Sequence, residues 1–297
     1  GPVRLNATVV TSGNQNYSGT VTLVGDTTLV ADGGEFSREI IGNGQDLMLT
    51  INNTITIEDG SGVNNLTSSG ETILTGTINT TGSQTYQSNV TIEGDVELNA
   101  GGDVSFSNEL SGNQNESTGD PDLIINTQAN TTFDGSVSDL ATLTTDAGGS
   151  TIAKADITTT GNQTYNDLFV LNTSLTLTGG NASFTGGITG DGNDLTLNFT
   201  GDATLDGEAT TISGINNLTS LGGIATNGII TTTGAQSFEG NATLIGNTTL
   251  VGPSATLAGT FEGQGHDLTI NYTSPTTISS SGGNITNFTS VGDVLLN

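Results

Sequence analysis

The side chains in this sequence that could do chemistry are almost all carboxylates. Thirty Asp and Glu stand against three Lys and Arg, one His and no Cys, for a formal charge of −27. Carboxylates alone can hold hard cations or shuttle protons, but hydrolysis or lyase chemistry also needs a group that supplies positive charge or a matched proton donor. The three cations, Arg4, Arg38 and Lys154, are scattered along the chain. His266 sits in the variable slot of GQGHDL, where related segments carry Gln45, Pro121 and Asn193, and so reads as a turn residue. No catalytic residue is assigned, and an enzyme is not expected.

The segments GNGQDLML, GDGNDLTL and GQGHDLTI echo the glycine-rich nonapeptide of calcium-binding β-rolls, which makes Asp46, Asp194 and Asp267 candidate calcium ligands. Two features weigh against an ion. The apolar residue follows the Asp immediately, and each motif stands alone instead of recurring in tandem, so adjacent turns cannot share a metal. The competing reading is a tight glycine turn whose Asp caps backbone amides ahead of a strand. Eighteen Asn residues open an N-x-S/T sequon, Asn6, Asn89 and Asn241 among them. Alternation of Asn and Thr along a strand face produces that pattern unaided, and glycosylation is the competing reading. Runs such as Thr176-Leu177-Thr178 raise an ice-binding face. They do not recur at one coil spacing on a flat side, so the Thr residues read as outward β-formers.

Composition narrows the partners. A chain so poor in cations lacks the electrostatic footprint for nucleic acid and is repelled by anionic membrane surfaces. No apolar run approaches the length of a membrane-spanning helix, so no membrane insertion is expected. Gly, Thr and Asn number 44, 55 and 31, there is no Trp, and aromatics make up 4%. Such a chain must build a thin core from Val, Ile and Leu. Gly1-Pro2 reads as the scar of a viral 3C-type protease site, and the ending Leu296-Asn297 reads as the edge of a segment from a longer protein.

The elements that position these residues come from an internal repeat. VVTSGNQNY (to Tyr17) recurs at nearly even intervals as INTTGSQTY (to Tyr86), ITTTGNQTY (to Tyr165) and ITTTGAQSF (to Phe238). Downstream anchors at Asp46, Asp194 and Asp267 follow the aromatic at one constant interval, and only Asp122 of the second copy comes later. The extra length of that copy falls in SGNQNESTGDP, Ser111 to Pro121, which reads as a lengthened loop. Its Asn113, Asn115, Glu116 and Asp120 are candidate ligand-binding residues. Apolar residues hold even offsets from the aromatic, with Leu29, Leu98, Leu177 and Leu250 in one slot, the period of half-buried strands, and Leu47, Leu123, Leu195 and Leu268 directly follow the Asp anchors. No helical periodicity separates the strands, and no Pro-rich or charged hinge separates the copies. The expectation is all-β: one continuous parallel β-helix over 3–297 in four imperfect repeats, 9–77, 78–156, 157–229 and 230–297. Each repeat would wind about three coils of roughly 22 to 26 residues.

ITTTGNQTYND, LTTDAGGST (Leu143 to Thr151) and GDGNDLTLN resemble the repeat region of filamentous-haemagglutinin-like exoproteins, very large bacterial surface adhesins exported by two-partner secretion. The resemblance covers residues 9 to 297. It implies a right-handed β-helix forming part of an adhesin shaft, secreted to the bacterial cell surface and serving attachment, aggregation or biofilm matrix. It also implies an outer-membrane secretion partner for the parent, and a host-cell receptor, glycan or matrix polysaccharide as its target. The alternative is a glycan- or receptor-binding module whose contact loop is the 111–121 insertion.

Overall fold

The computed structural model describes residues 1–113, 119–279 and 282–296. Every described regular element is a β-strand. The chain forms two compact units, Gly1–Ser150 and Thr151–Asn297. In each, the chain winds as a β-solenoid whose strands pair in parallel with those one coil before and one coil after. The alternation read from the sequence is what this arrangement requires. Val21–Ala31 buries Val21, Leu23, Thr27, Leu29 and Ala31 while Thr22, Val24, Asp26, Thr28 and Val30 lie on the outer side. All eight leucines of the two recurrent slots lie in the core, none more than 1% exposed.

Three strand tracks run through each unit. In the first, Gln15–Tyr17 stacks on Gly34–Phe36 and that on Thr54–Ile57, while Val21 stacks on Ile40 and Leu29 on Leu49 along the other two tracks. The coil is tighter than the sequence suggested for most of its length. Thr54 stacks on Glu71, a separation in sequence of 17, and Gly34 stacks on Ile55, a separation of 21. The insertion stretches one coil to 27, as at Val96 on Leu123. In the second unit the spacing runs from 17 at Ile215 and Thr232 to 24 at Ile188 and Ile212.

The shorter coil changes what a repeat means. From Gln15–Tyr17 to Gln84–Tyr86 the chain passes eleven strand segments, counting separately the two halves of Val21–Ala31 and Glu71–Thr80 that pair with different partners. With three segments to a coil, a repeat winds three coils and two-thirds of a fourth. Its anchor therefore moves to a different track. Tyr17 stacks on Phe36, whereas Tyr86 lies between Ser68 and Phe106 on the track that carries Leu29. The second unit repeats the shift: Tyr165 stacks on Phe184, but Phe238 lies between Ser220 and Leu257 on another track.

Three of the four aromatic anchors, Tyr86, Tyr165 and Phe238, are buried in the core, and Tyr17 is half-buried. Tyr86 and Tyr165 have no exposed surface, and stacked rings continue from coil to coil: Tyr17 on Phe36 at 5.0 Å, Tyr86 on Phe106 at 5.3 Å, Phe106 on Phe133 at 5.5 Å and Tyr165 on Phe184 at 5.1 Å. Burial pushes the Tyr86 and Tyr165 phenols well above the usual tyrosine range. A buried phenol needs a partner, and the repeat supplies a buried Gln two residues earlier. Tyr86 Oη donates to Gln84 Oε1 at 3.0 Å and Tyr165 Oη to Gln163 Oε1 at 2.9 Å. The Gln amide in turn donates across the corner, Gln163 Nε2 to the carbonyls of Ile157 at 3.3 Å and Thr178 at 2.9 Å and to Thr159 Oγ1 at 3.3 Å.

The fourth copy tests this reading within one molecule. Phe238 has no hydroxyl, yet Gln236 Oε1 still accepts one, from Tyr272 Oη at 2.8 Å. Tyr272 stacks on Gly252 just as Phe199 of the third copy stacks on Gly179. Tyrosine and phenylalanine have exchanged places, and the hydroxyl still reaches the same oxygen. Replacing Tyr165 by Phe should therefore cost about 1–3 kcal/mol by leaving Gln163 Oε1 without a donor, and adding Phe199→Tyr should restore most of it. Chemical denaturation of the two variants checks both halves. Thr131 offers the opposite case, since it is 1% exposed and its Oγ1 has no hydrogen-bond partner. Thr131→Val keeps the shape and removes the orphan hydroxyl, so it should raise the denaturation midpoint.

Candidate functional site

The glycine motifs form the tight turn that the sequence suggested. Asn43-Gly44, Asp191-Gly192 and Gln264-Gly265 all have positive φ at both residues, the conformation of a type I′ turn. The turns close through Gln45 N to Gly42 O at 3.0 Å, Asn193 N to Gly190 O at 2.9 Å and His266 N to Gly263 O at 2.8 Å. Gly42 and Gly190 are needed for a second reason: a Cβ there would lie 2.2 Å from Val63 Cα and 2.4 Å from Ile215 Cα, in the backbone of the next coil. His266 is a half-buried residue of this turn.

The Asp that follows each turn is a cap. Asp46 Oδ1 accepts Asn64 Nδ2 at 2.8 Å, Asn65 N at 3.0 Å and Asn65 Nδ2 at 3.0 Å. Asp194 Oδ1 takes the same three donors from Asn216 and Asn217 at 2.8 to 2.9 Å, and Asp267 Oδ1 takes Asn287 Nδ2 at 2.8 Å. For Asp46, burial alone would raise the pKa, but the Asn65 backbone amide and the Asn64 and Asn65 carboxamides hold it below the usual carboxylate range. Asp194 is lowered chiefly by the Asn217 backbone amide, against an opposing effect of burial and with help from the two carboxamides. The shell around these oxygens is made of N–H donors, which favour an anion and compete with a cation. Among the described residues, no group of three or more His, Cys, Asp or Glu converges in the manner of a metal site.

Sequence reasoning named the Asp residues and missed their partners. The signal was present: an Asn-Asn pair follows Asp46 and Asp194 by one coil, at Asn64-Asn65 and Asn216-Asn217. The same device recurs at other corners, with an Asp or Asn of one coil accepting a backbone N–H of the next. Asp26 receives Asp46 N, Asp59 receives Thr77 N, Asp95 receives Asp122 N and Asp156 receives Thr176 N, at 2.7 to 3.0 Å.

Of the insertion candidates, Asn115 and Glu116 lie outside the described residues. Asn113 Nδ2 donates to Glu93 Oε1 at 2.9 Å, tying the start of the loop to the preceding coil, and Asp120 is half-buried. Hydroxyl residues of successive coils do stack, though at unequal separations of 20, 23, 18 and 19 residues. Thr176, Thr196, Thr219, Ser237 and Thr256 stack rung on rung along one track. Among the described residues, shallow grooves run beside corners, and three of them are informative. One of about 260 Å³ is lined by Thr77, Asp95, Glu97, Asp122 and Ile124, and one of about 190 Å³ by Glu71, Asn89, Thr91, Glu109 and Ser111. The third, about 310 Å³, lies over Asn162, Thr164, Asn181, Ser183, Asp202 and Thr204.

A group whose folded pKa is depressed contributes stability that is complete above its unfolded value and is lost as pH falls through the folded one. The stability advantage of the parent chain over Asp194→Asn should thus be largest near neutral pH and shrink as pH drops below the usual carboxylate range. Thermal melts of the two proteins across that range measure it. No family model, curated protein or solved structure matches this chain.

Proposed function

We propose that these residues are a structural shaft segment of a secreted bacterial surface adhesin, serving attachment, aggregation or matrix formation and doing no catalysis of their own. One observation carries the reading: the polar side chains with the most hydrogen bonds are spent on holding coil to coil. Asp46 and Asp194 each take three donors from the following coil, and Gln84 and Gln163 bridge two coils from inside the core. An enzyme leaves such groups poised toward substrate, whereas a shaft uses them to resist separation of its layers. Outward carboxylates add self-repulsion, which discourages lateral clumping of Thr- and Asn-rich strands.

The resemblance of the repeats to filamentous-haemagglutinin-like exoproteins supports the extracellular placement. Antibody against residues 3–297 should label intact cells of the producing strain, and in-frame deletion of the four repeats should reduce attachment and cell aggregation. Labelling confined to permeabilised cells, or attachment and aggregation unchanged by the deletion, would overturn the proposal.

A further inference from the structure

The three grooves differ in what their polar groups are already doing. In the 260 Å³ groove, Asp95 accepts Asp122 N, Glu97 accepts Asn126 Nδ2 and Asp122 accepts Thr142 Oγ1, so its carboxylates are occupied and crowded together. The 190 Å³ groove carries Glu71 and Glu109, and Glu71 is held by Thr54 Oγ1 at 3.3 Å. The 310 Å³ groove of the second unit has one carboxylate, Asp202. It is built from two columns in coil register. Thr164, Ser183 and Thr204 stack along the strand track, and Ala225 ends their row on the next coil. Asn162, Asn181 and Asp202 stand beside them at the corner, exposed, with Asn181 Nδ2 on Asn162 Oδ1 at 3.0 Å and Asp202 N on Asn181 Oδ1 at 2.9 Å.

These internal bonds fix the corner column and leave the groove's remaining groups unspent. The hydroxyls of Thr164, Ser183 and Thr204, the Asn162 carboxamide N–H groups and the Asp202 carboxylate make no hydrogen bond to another described side chain or backbone group. Hydroxyls that both donate and accept, a carboxamide that donates and a carboxylate that accepts form the complement of a row of sugar hydroxyls. The volume lies at the lower end of the range for small-ligand clefts. Because the columns run along the coil axis, a linear chain would lie lengthwise across three successive coils. The formal charge of −27 repels polyanions, and one carboxylate is too little to select a polycation.

We infer that the groove over Asn162, Thr164, Asn181, Ser183, Asp202 and Thr204 binds a short stretch of a neutral linear polysaccharide. This goes beyond a purely structural shaft and places contact on its side, away from the 111–121 insertion. The probes are six-residue oligomers of neutral glucan, mannan and N-acetylglucosamine, with an alginate oligomer as the anionic comparison, titrated into the full chain by calorimetry and by NMR. One neutral oligomer should bind with saturation, and Thr164→Val with Thr204→Val should weaken it about tenfold or more, as two lost hydrogen bonds imply. Thr243→Val, on the same track but outside the groove, should bind like the parent. Matching thermal melts establish that both variants fold. Saturation with none of the neutral oligomers, binding of alginate alone, or binding untouched by the groove substitutions would overturn the inference. None of these outcomes bears on surface labelling or on the attachment test of the repeats as a whole.

Discussion

Everything in this protein depends on each coil completing the hydrogen bonding of its neighbours. A short strand such as Gln84–Tyr86 or Leu195–Phe199 has no partner within its own coil, so its backbone is satisfied only by the strands before and after it. Along the tracks, parallel pairing does this. At the corners the chain turns away from the ladder and leaves N–H groups without a strand carbonyl. There an Asp or Asn from the preceding coil reaches across, as Asp59 does to Thr77 N and Asp95 to Asp122 N.

That requirement explains the composition better than any ligand does. Asp46 and Asp194 look like metal ligands when seen only beside their glycines, because the turn Gly-x-Gly-x-Asp is shared with calcium-binding rolls. Their surroundings have the opposite polarity. Three N–H donors on one carboxylate oxygen lower its pKa and commit it to the next coil. Part of the negative charge is thereby structural: Asp26, Asp46, Asp59, Asp95, Asp103, Asp156 and Asp194 each cap a backbone amide of the next coil.

Inside the core, the buried glutamines solve the same problem in reverse. Gln163 brings a carboxamide into an apolar layer, where each of its groups must be met. Two carbonyls and Thr159 take its N–H donors, and the Tyr165 phenol supplies its acceptor. The exchange of aromatic and phenol between Tyr165/Phe199 and Phe238/Tyr272 shows that what persists through the repeat is the hydrogen bond and not the residue that makes it.

The sequence by itself determined that the chain is β-stranded and repetitive, which residues face inward, and where the tight turns fall. Alternation at Leu29, Leu98, Leu177 and Leu250, and the Gly-x-Gly turns before Asp46, Asp194 and Asp267, are local properties, legible because side-chain direction along a strand has a fixed period. Only the tertiary structure decided how long a coil is. The stretch from Tyr17 to Tyr86 fits three loose coils or eleven strand segments equally well by pattern, and the difference sets the track on which Tyr86 lies relative to Tyr17. Coil length also decides who meets whom. Asp46 is separated in sequence from Asn64 by 18 and from Asn65 by 19, and nothing local links them. They touch because one turn of the solenoid brings that separation into register, which is a property of stacked backbones and not of either segment alone.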